Sequence, residues 1–431
     1  MQCINVFKRT KWLAKQDCLV KFFAPLLVLL ITTSFFGVFL SPVAGQTTTG
    51  ATQGRIVSNE MELRNAINNA NGPTVIALDN DITLTEKLVI PVNKDINLTS
   101  TSTSKFFKLI GGDTGRSTLG PFEYAQPVVE VRGMLRLDGV SVTCGKYPLS
   151  WYLLVNDVIG GTLILHNGEI SGNSLGGGVI NSGTFEMYGG KISNNNANAC
   201  FSGAAVYNSE NSTFSMFGGE ISGNTGFGVI NRGTYHWGWR YGMFSLSGGV
   251  IRNNQGGGVQ NSAIFTMSGG EISNNIGESE NVMQSGGGVS NSGIFSMSGG
   301  VISNNQAAYG GGVYNYPDGN FSLSENAVIS DNKAEVGGGV YNAGTFTRLG
   351  GVISGNTATE YNDIYLNDDS PLPTSSITDS PNPTSPISTI NTGPHMPETE
   401  PFLKLTVLVV AIVAVVIVSV LLFRRHRKPD S

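Results

Sequence analysis

Charge is scarce in this chain: Asp, Glu, Lys and Arg make up 13% of its 431 residues, about half the usual share. Histidine and cysteine are scarcer, with four of each. His166, His236, His395 and His426 are scattered, so neither a metal set nor a nucleophilic triad is indicated. No G-K-[ST] follows a Gly loop, and no coil carries the Asp of calcium-binding G-G-x-G-x-D repeats, so phosphate loops and calcium solenoids are excluded. No cofactor and no metal site is expected.

What the chain has instead is glycine, 57 residues of it, well above the usual share of about 7%. The stretch GGGVSNSGIFSMSGGVISNN, 286–305, contains no charged residue, His or Cys. From 170 to 356 one frame recurs: G-G-G-V-x-N, a Phe, an apolar residue two later, G-G, then x-I-S-x-N. Its Ile column, Ile170, Ile192, Ile221, Ile251, Ile272, Ile302, Ile329 and Ile353, has a period of 21 to 30 residues, which means a solenoid. Phe185, Phe214, Phe244, Phe265, Phe295 and Phe346 precede their Ile by seven residues and Phe321 by eight. Length variation therefore falls elsewhere, as at 276–285 and 232–243, where outward loops are expected.

V-x-N, F-x-M and x-I-S alternate in period two between turn residues, which predicts three short strands per repeat. A helix is excluded because each Gly would cost about 1 kcal/mol relative to Ala. The predicted fold is all-β, one parallel coil per repeat, with Val, Phe and Ile in interior columns. Asn181, Asn208, Asn231, Asn261, Asn291, Asn315 and Asn342 align as a structural ladder, and Asn173, Asn195, Asn224, Asn254, Asn275, Asn305, Asn332 and Asn356 align as a second. Ahead of them, Asn59 as N-cap with Glu62 three later, then Leu63, Ala66, Ile67 and Ala70 on one face, predict a short helix covering the open end. Strands at 74–78, 82–84, 88–90 and 96–99 then begin the coils.

The two ends place the chain. Lys8, Arg9, Lys11, Lys15 and Lys21 precede an apolar run from Phe22 to Leu40, so 1–45 reads as a signal peptide, with an uncleaved signal anchor as the other reading. Residues 55–366 form the repeat ectodomain, and 367–401 a Pro/Ser/Thr-rich stalk. Residues 403–423 read as a single transmembrane helix. Its core, Leu405 to Phe423, carries no charge or Pro and spans about 28 Å as helix. Arg424, Arg425, Arg427 and Lys428 in the tail, 424–431, put the C-terminus in the cytoplasm. Residues 46–401 then carry 16 basic against 29 acidic side chains, a formal charge of −13, so nucleic acid is not an expected partner. The expected localisation is the cell surface, anchored in the cell membrane.

The coils resemble right-handed parallel β-helix proteins of the pectin-lyase-like superfamily. The pairing of G-G-x-[IV] with [FI]-x-x-N is similar to the repeats of polymorphic outer membrane proteins and adhesin-like surface proteins, with Ile in place of Phe throughout and a single helix in place of their membrane barrel. MPETE, 396–400, resembles a wall-sorting signal but departs from it at Met396 and Glu400, so a retained anchor is expected. The resemblance implies display of a rigid surface, adhesin-like or envelope-structural, that binds polysaccharide or a surface protein or associates laterally with its own kind. The rival it implies is a polysaccharide lyase or glycoside hydrolase, which needs carboxylates from neighbouring coils. The repeats offer few: Glu169, Lys191 and Glu220 share one column and read as a charge ladder, while Asp331 and Asp363 stand alone in turns.

Three further sets of residues stand out. Tyr235, His236, Trp237, Trp239, Arg240 and Tyr241 crowd one insertion and are the candidate binding residues; folding of those rings onto the solenoid wall is the competing reading. Asn97, Asn211 and Asn320 begin glycan-acceptor sequons. Cys144 and Cys200 are either a disulfide pair or two buried thiols.

Overall fold

The computed structural model describes residues 54–111, 127–144, 156–173, 176–197, 203–234, 240–277 and 285–366. Within them the chain is a β-solenoid. Every coil-to-coil pairing is parallel, from Arg55–Val57 on Thr74–Leu78 at one end to Val340–Asn342 on Ile364–Leu366 at the other. Three columns of short strands result, here called the Val, Phe and Ile strands after their inward residues.

Register holds these columns in line. Val259 pairs with Val289 and then Val313, Phe265 with Phe295 and then Phe321, and Ile272 with Ile302 and then Ile329. Because side chains alternate across a strand, these residues all point inward. Val179 to Val340, Phe185 to Phe321 and Ile170 to Ile329 are at most 1% exposed. Each buried Ile contributes about 1.5–3 kcal/mol. The phenylalanines add a continuous ring stack from Phe185 to Phe346, with centroids 4.6–4.9 Å apart and near-parallel planes, and each such pair is worth about 0.5–1.5 kcal/mol beyond its buried area.

Polar groups inside the turns are satisfied by the two Asn ladders. In the first, Nδ2 of each Asn from Asn181 to Asn315 donates to Oδ1 of the Asn one coil on, at 2.7–2.8 Å. In the second, from Asn195 onward, both the backbone N–H and Nδ2 donate to the next Oδ1, and Nδ2 also reaches an Ile carbonyl one coil back, as Asn305 does to Asn332 and to Ile272. The residue before each Asn of this ladder sits at positive φ, from 54° to 72° across Gly172, Asn194, Gly223, Asn253, Asn274, Asn304, Asp331 and Gly355. Only Gly, Asn and Asp occupy that column, the residue types that tolerate the left-handed region.

The second ladder needs an acceptor at its last rung, and Asp363 supplies it. Its Oδ1 takes Nδ2 of Asn356 at 2.9 Å and the Asn356 N–H at 3.3 Å. Asp363, expected as a lone carboxylate in a turn, thus ends the ladder where no further donation is required.

At the other end, the predicted helix is present as α1, Glu60–Asn68, capped by Asn59 Oδ1 accepting from the Glu62 N–H. Glu62 reaches back to the Ser58 N–H, one residue ahead of the cap. Leu63, Ala66, Ile67 and Ala70 are buried, 0–4% exposed, in the same core as the coils. A strand at Arg55–Val57, not expected from the sequence, precedes the helix and adds a rung to the Phe column. The last coils also depart from three sides: Lys333–Val336 pairs with Thr357–Glu360, and bridges link Ile276, Gln306 and Lys333, giving a fourth short side.

Candidate functional site

The aromatic insertion is a hairpin at its root. Gly233–Thr234 pairs antiparallel with Arg240–Tyr241, the one antiparallel pairing among the described residues. Tyr241 is half-buried and its carbonyl accepts from the Asn211 N–H at 3.2 Å. Tyr235, His236, Trp237 and Trp239 lie outside the described residues, as do Cys200, the leader, the stalk, the apolar run and the basic tail. Among the described residues no helix is long and apolar enough to cross a membrane, and no three His, Cys, Asp or Glu gather as metal ligands.

The three sequons stand differently. Asn320 and Asn211 are exposed, Asn211 in a turn at φ 58°. Asn97 is half-buried within Asp95–Ser100, and its Oδ1 is shielded without a partner. Cys144 is half-buried at the end of the strand Met134–Cys144.

Register gathers residues on the outer face of the Val strands that no spacing rule had linked. The middle, outward position of that column runs through Glu130 and Asp157 to Ile180, then Tyr207, Ile230, Gln260, Ser290, Tyr314, Tyr341 and Tyr365. Its two ends differ in chemistry.

The N-terminal end is charged. Glu130 is 3% exposed, held by Lys87 Nζ at 2.5 Å and Arg132 Nε at 2.5 Å. Burial alone would raise its carboxyl, but the hydrogen bonds and charges of Lys87 and Arg132 hold it below its usual value. Asp157, beside Glu130 one coil on, is raised by burial and then by the Glu130 charge, with Lys87 opposing. Sequence reasoning missed this pair because it lies in the irregular early coils, outside the repeat frame.

The C-terminal end is aromatic and uncharged. Tyr314 and Tyr341 stack with centroids 4.8 Å apart and planes 10° apart, and Tyr365 continues the row at 4.5 Å. Tyr309, Tyr316 and Tyr361 stand edge-on to Tyr341, Tyr314 and Tyr365. Burial first, and then neighbouring tyrosines, push the Tyr341 phenol up to about 12. The sequence carried a signal for this cluster that went unread: Y at the variable position of V-Y-N twice and of I-Y-L once, at 313–315, 340–342 and 364–366.

A smaller exposed stack, His166, Tyr188 and Phe217, runs down the corner after the Phe strands with centroids 5.1 and 4.8 Å apart. The Glu169, Lys191, Glu220 column is laid side by side as expected, with Lys191 Nζ 3.6 Å and Arg252 Nε 3.1 Å from Glu220.

No protein-family model, no curated protein and no solved structure matches the chain.

Proposed function

We propose that the chain is a cell-surface display protein: a right-handed parallel β-helix of the pectin-lyase-like kind, held outside the cell by a single C-terminal membrane anchor. It acts as an adhesin-like or envelope-structural module, binding glycans or surface partners through its insertions, and it is not an enzyme. The observation that carries this reading is the unbroken second Asn ladder from Asn173 to Asp363. The repeats spend their buried polar groups on stacking, which makes a stiff support and leaves specificity to outward residues. The right hand follows from the general preference of parallel crossovers.

A lyase or hydrolase is the second reading, favoured by one observation, the neighbouring Glu130 and Asp157. Against it, both Glu130 oxygens are taken by Lys87 and Arg132, so this pair lacks the second free carboxylate that acid and base catalysis needs.

Shaving of intact cells with added protease tests the display. An epitope placed in the 276–285 insertion is expected to be lost while one appended after Ser431 survives. Protection of both epitopes would overturn the reading.

A further inference from the structure

Six of the thirteen tyrosines in the chain meet on the outer Val face of the last coils: Tyr309, Tyr314, Tyr316, Tyr341, Tyr361 and Tyr365. We propose that this face binds a neutral, hydroxyl-rich polysaccharide laid along the solenoid axis over the row Tyr314, Tyr341 and Tyr365. The proposal rests on the glycan-binding reading above, and it moves the site away from the 232–243 insertion.

Three observations favour that ligand. First, register repeats the same group at each coil: Tyr314 pairs with Tyr341 and Tyr341 with Tyr365, so one phenol recurs about every 4.8 Å along the axis. A polymer that repeats along its length meets a surface that repeats along its own. Second, the ladder rings cover one another's faces and are half-buried, while Tyr309 and Tyr361 at the flanks are 37% and 55% exposed. The row therefore offers hydroxyls that donate and accept, and the flanks offer apolar ring surface, the pair of features a sugar ring matches.

Third, the row itself is uncharged: its outward positions are Tyr314, Tyr341 and Tyr365, while Glu360 stands at the flank, in register with Val336 and next to Tyr361. Burial first, and then neighbouring tyrosines, raise the Tyr314 and Tyr341 phenols. A polycation finds no counter-charge in the row itself, and a polyanion meets an acidic chain. The 276–285 insertion also rejoins the coils at this face: Ser285 bridges to Tyr309, and its Oγ lies 2.5 Å from the Tyr316 hydroxyl, which roots a loop beside the row.

Affinity electrophoresis of the detergent-solubilised full chain through gels containing a neutral glucan, mannan or galactan, or a polyuronate or chitosan, tests the proposal. Two double variants go with it: Tyr309→Ala with Tyr361→Ala, and Tyr314→Phe with Tyr341→Phe, which keeps the stack and removes hydroxyls. Near-UV and far-UV circular dichroism check the fold of each. The expected result is retardation of the wild type by at least one neutral polymer, weakened about tenfold in either variant. Retardation untouched by both variants but lost in Trp237→Ala with Trp239→Ala overturns the site and leaves glycan binding standing. Retardation only by the charged polymers overturns the ligand class. Self-association of the wild type in sedimentation, abolished by the same tyrosine variants, overturns the proposal in favour of a face between copies. Absence of retardation on every polymer overturns the site and glycan binding together.

Discussion

Asn305 accepts two hydrogen bonds from Asn275 through one oxygen and passes three on, two to Asn332 Oδ1 from its N–H and Nδ2 and one to the Ile272 carbonyl. Asn305→Ala strands buried donors on Asn275 and should cost about 2–3 kcal/mol, read as a lower denaturant midpoint. Asn305→Asp should cost at least as much at neutral pH, because its second oxygen would face acceptors. That loss should shrink as pH falls and the buried carboxyl protonates, while the Ala variant stays flat. Asp363→Asn should be nearly neutral, since Asp363 only accepts. Asp157 gives a second pH test. A folded-state value above the unfolded one means that stability is full below the unfolded value and declines as pH rises through the folded one. Asp157→Asn should therefore raise Tm at neutral pH and lose its advantage in acid. The Asn ladders were legible because identical side chains recur in a fixed frame. Asp363 was not, because its role is defined by being last, and the tyrosine row was not, because in the coils before it the same position changes from Ile to Tyr, Ile, Gln and Ser.

An interior strand depends on its neighbours above and below more than on its own sequence. Phe265 lies between Phe244 and Phe295 at 4.7 and 4.6 Å and is fully buried. Phe265→Ala should cost about 3–5 kcal/mol, and the loss should exceed that of Phe346→Ala, whose ring stacks on one side only among the described residues. Where coils approach closely, size decides as firmly as shape. A Cβ on Gly258 would meet the Gly288 carbonyl and Ile272 Cγ2, each at 2.5 Å, so Gly258→Ala should destabilise by about 1–3 kcal/mol. Both effects are readable as midpoint shifts in urea. The three-strand coil could be read from alternation, since the inward Val, Phe and Ile are uniform. The fourth side at 333–336 and 357–360 could not, because its one repeated inward residue, Ala334 beside Ala358, is small and set among mixed polar residues.

At the scale of the molecule, a solenoid whose coils touch only neighbours should tolerate loss of a whole coil and fail on loss of part of one. Ile264 pairs with Ile294, Phe265 with Phe295 and Ile272 with Ile302, so deletion of 264–293 removes one turn and brings Asn261 against Asn315. That variant should fold and remain cooperative in thermal unfolding, whereas deletion of 264–273 alone should not yield a folded chain. The display reading proposed above has such a solenoid hold ligands without acting on them. The most direct measurement incubates the intact, solubilised chain with each polysaccharide and records, in one sample, retention on the polymer and the appearance of new reducing or unsaturated ends. Retention with no new ends is the expected result; new ends that disappear in Asp157→Asn would contradict the display reading and put the chemistry at Glu130 and Asp157.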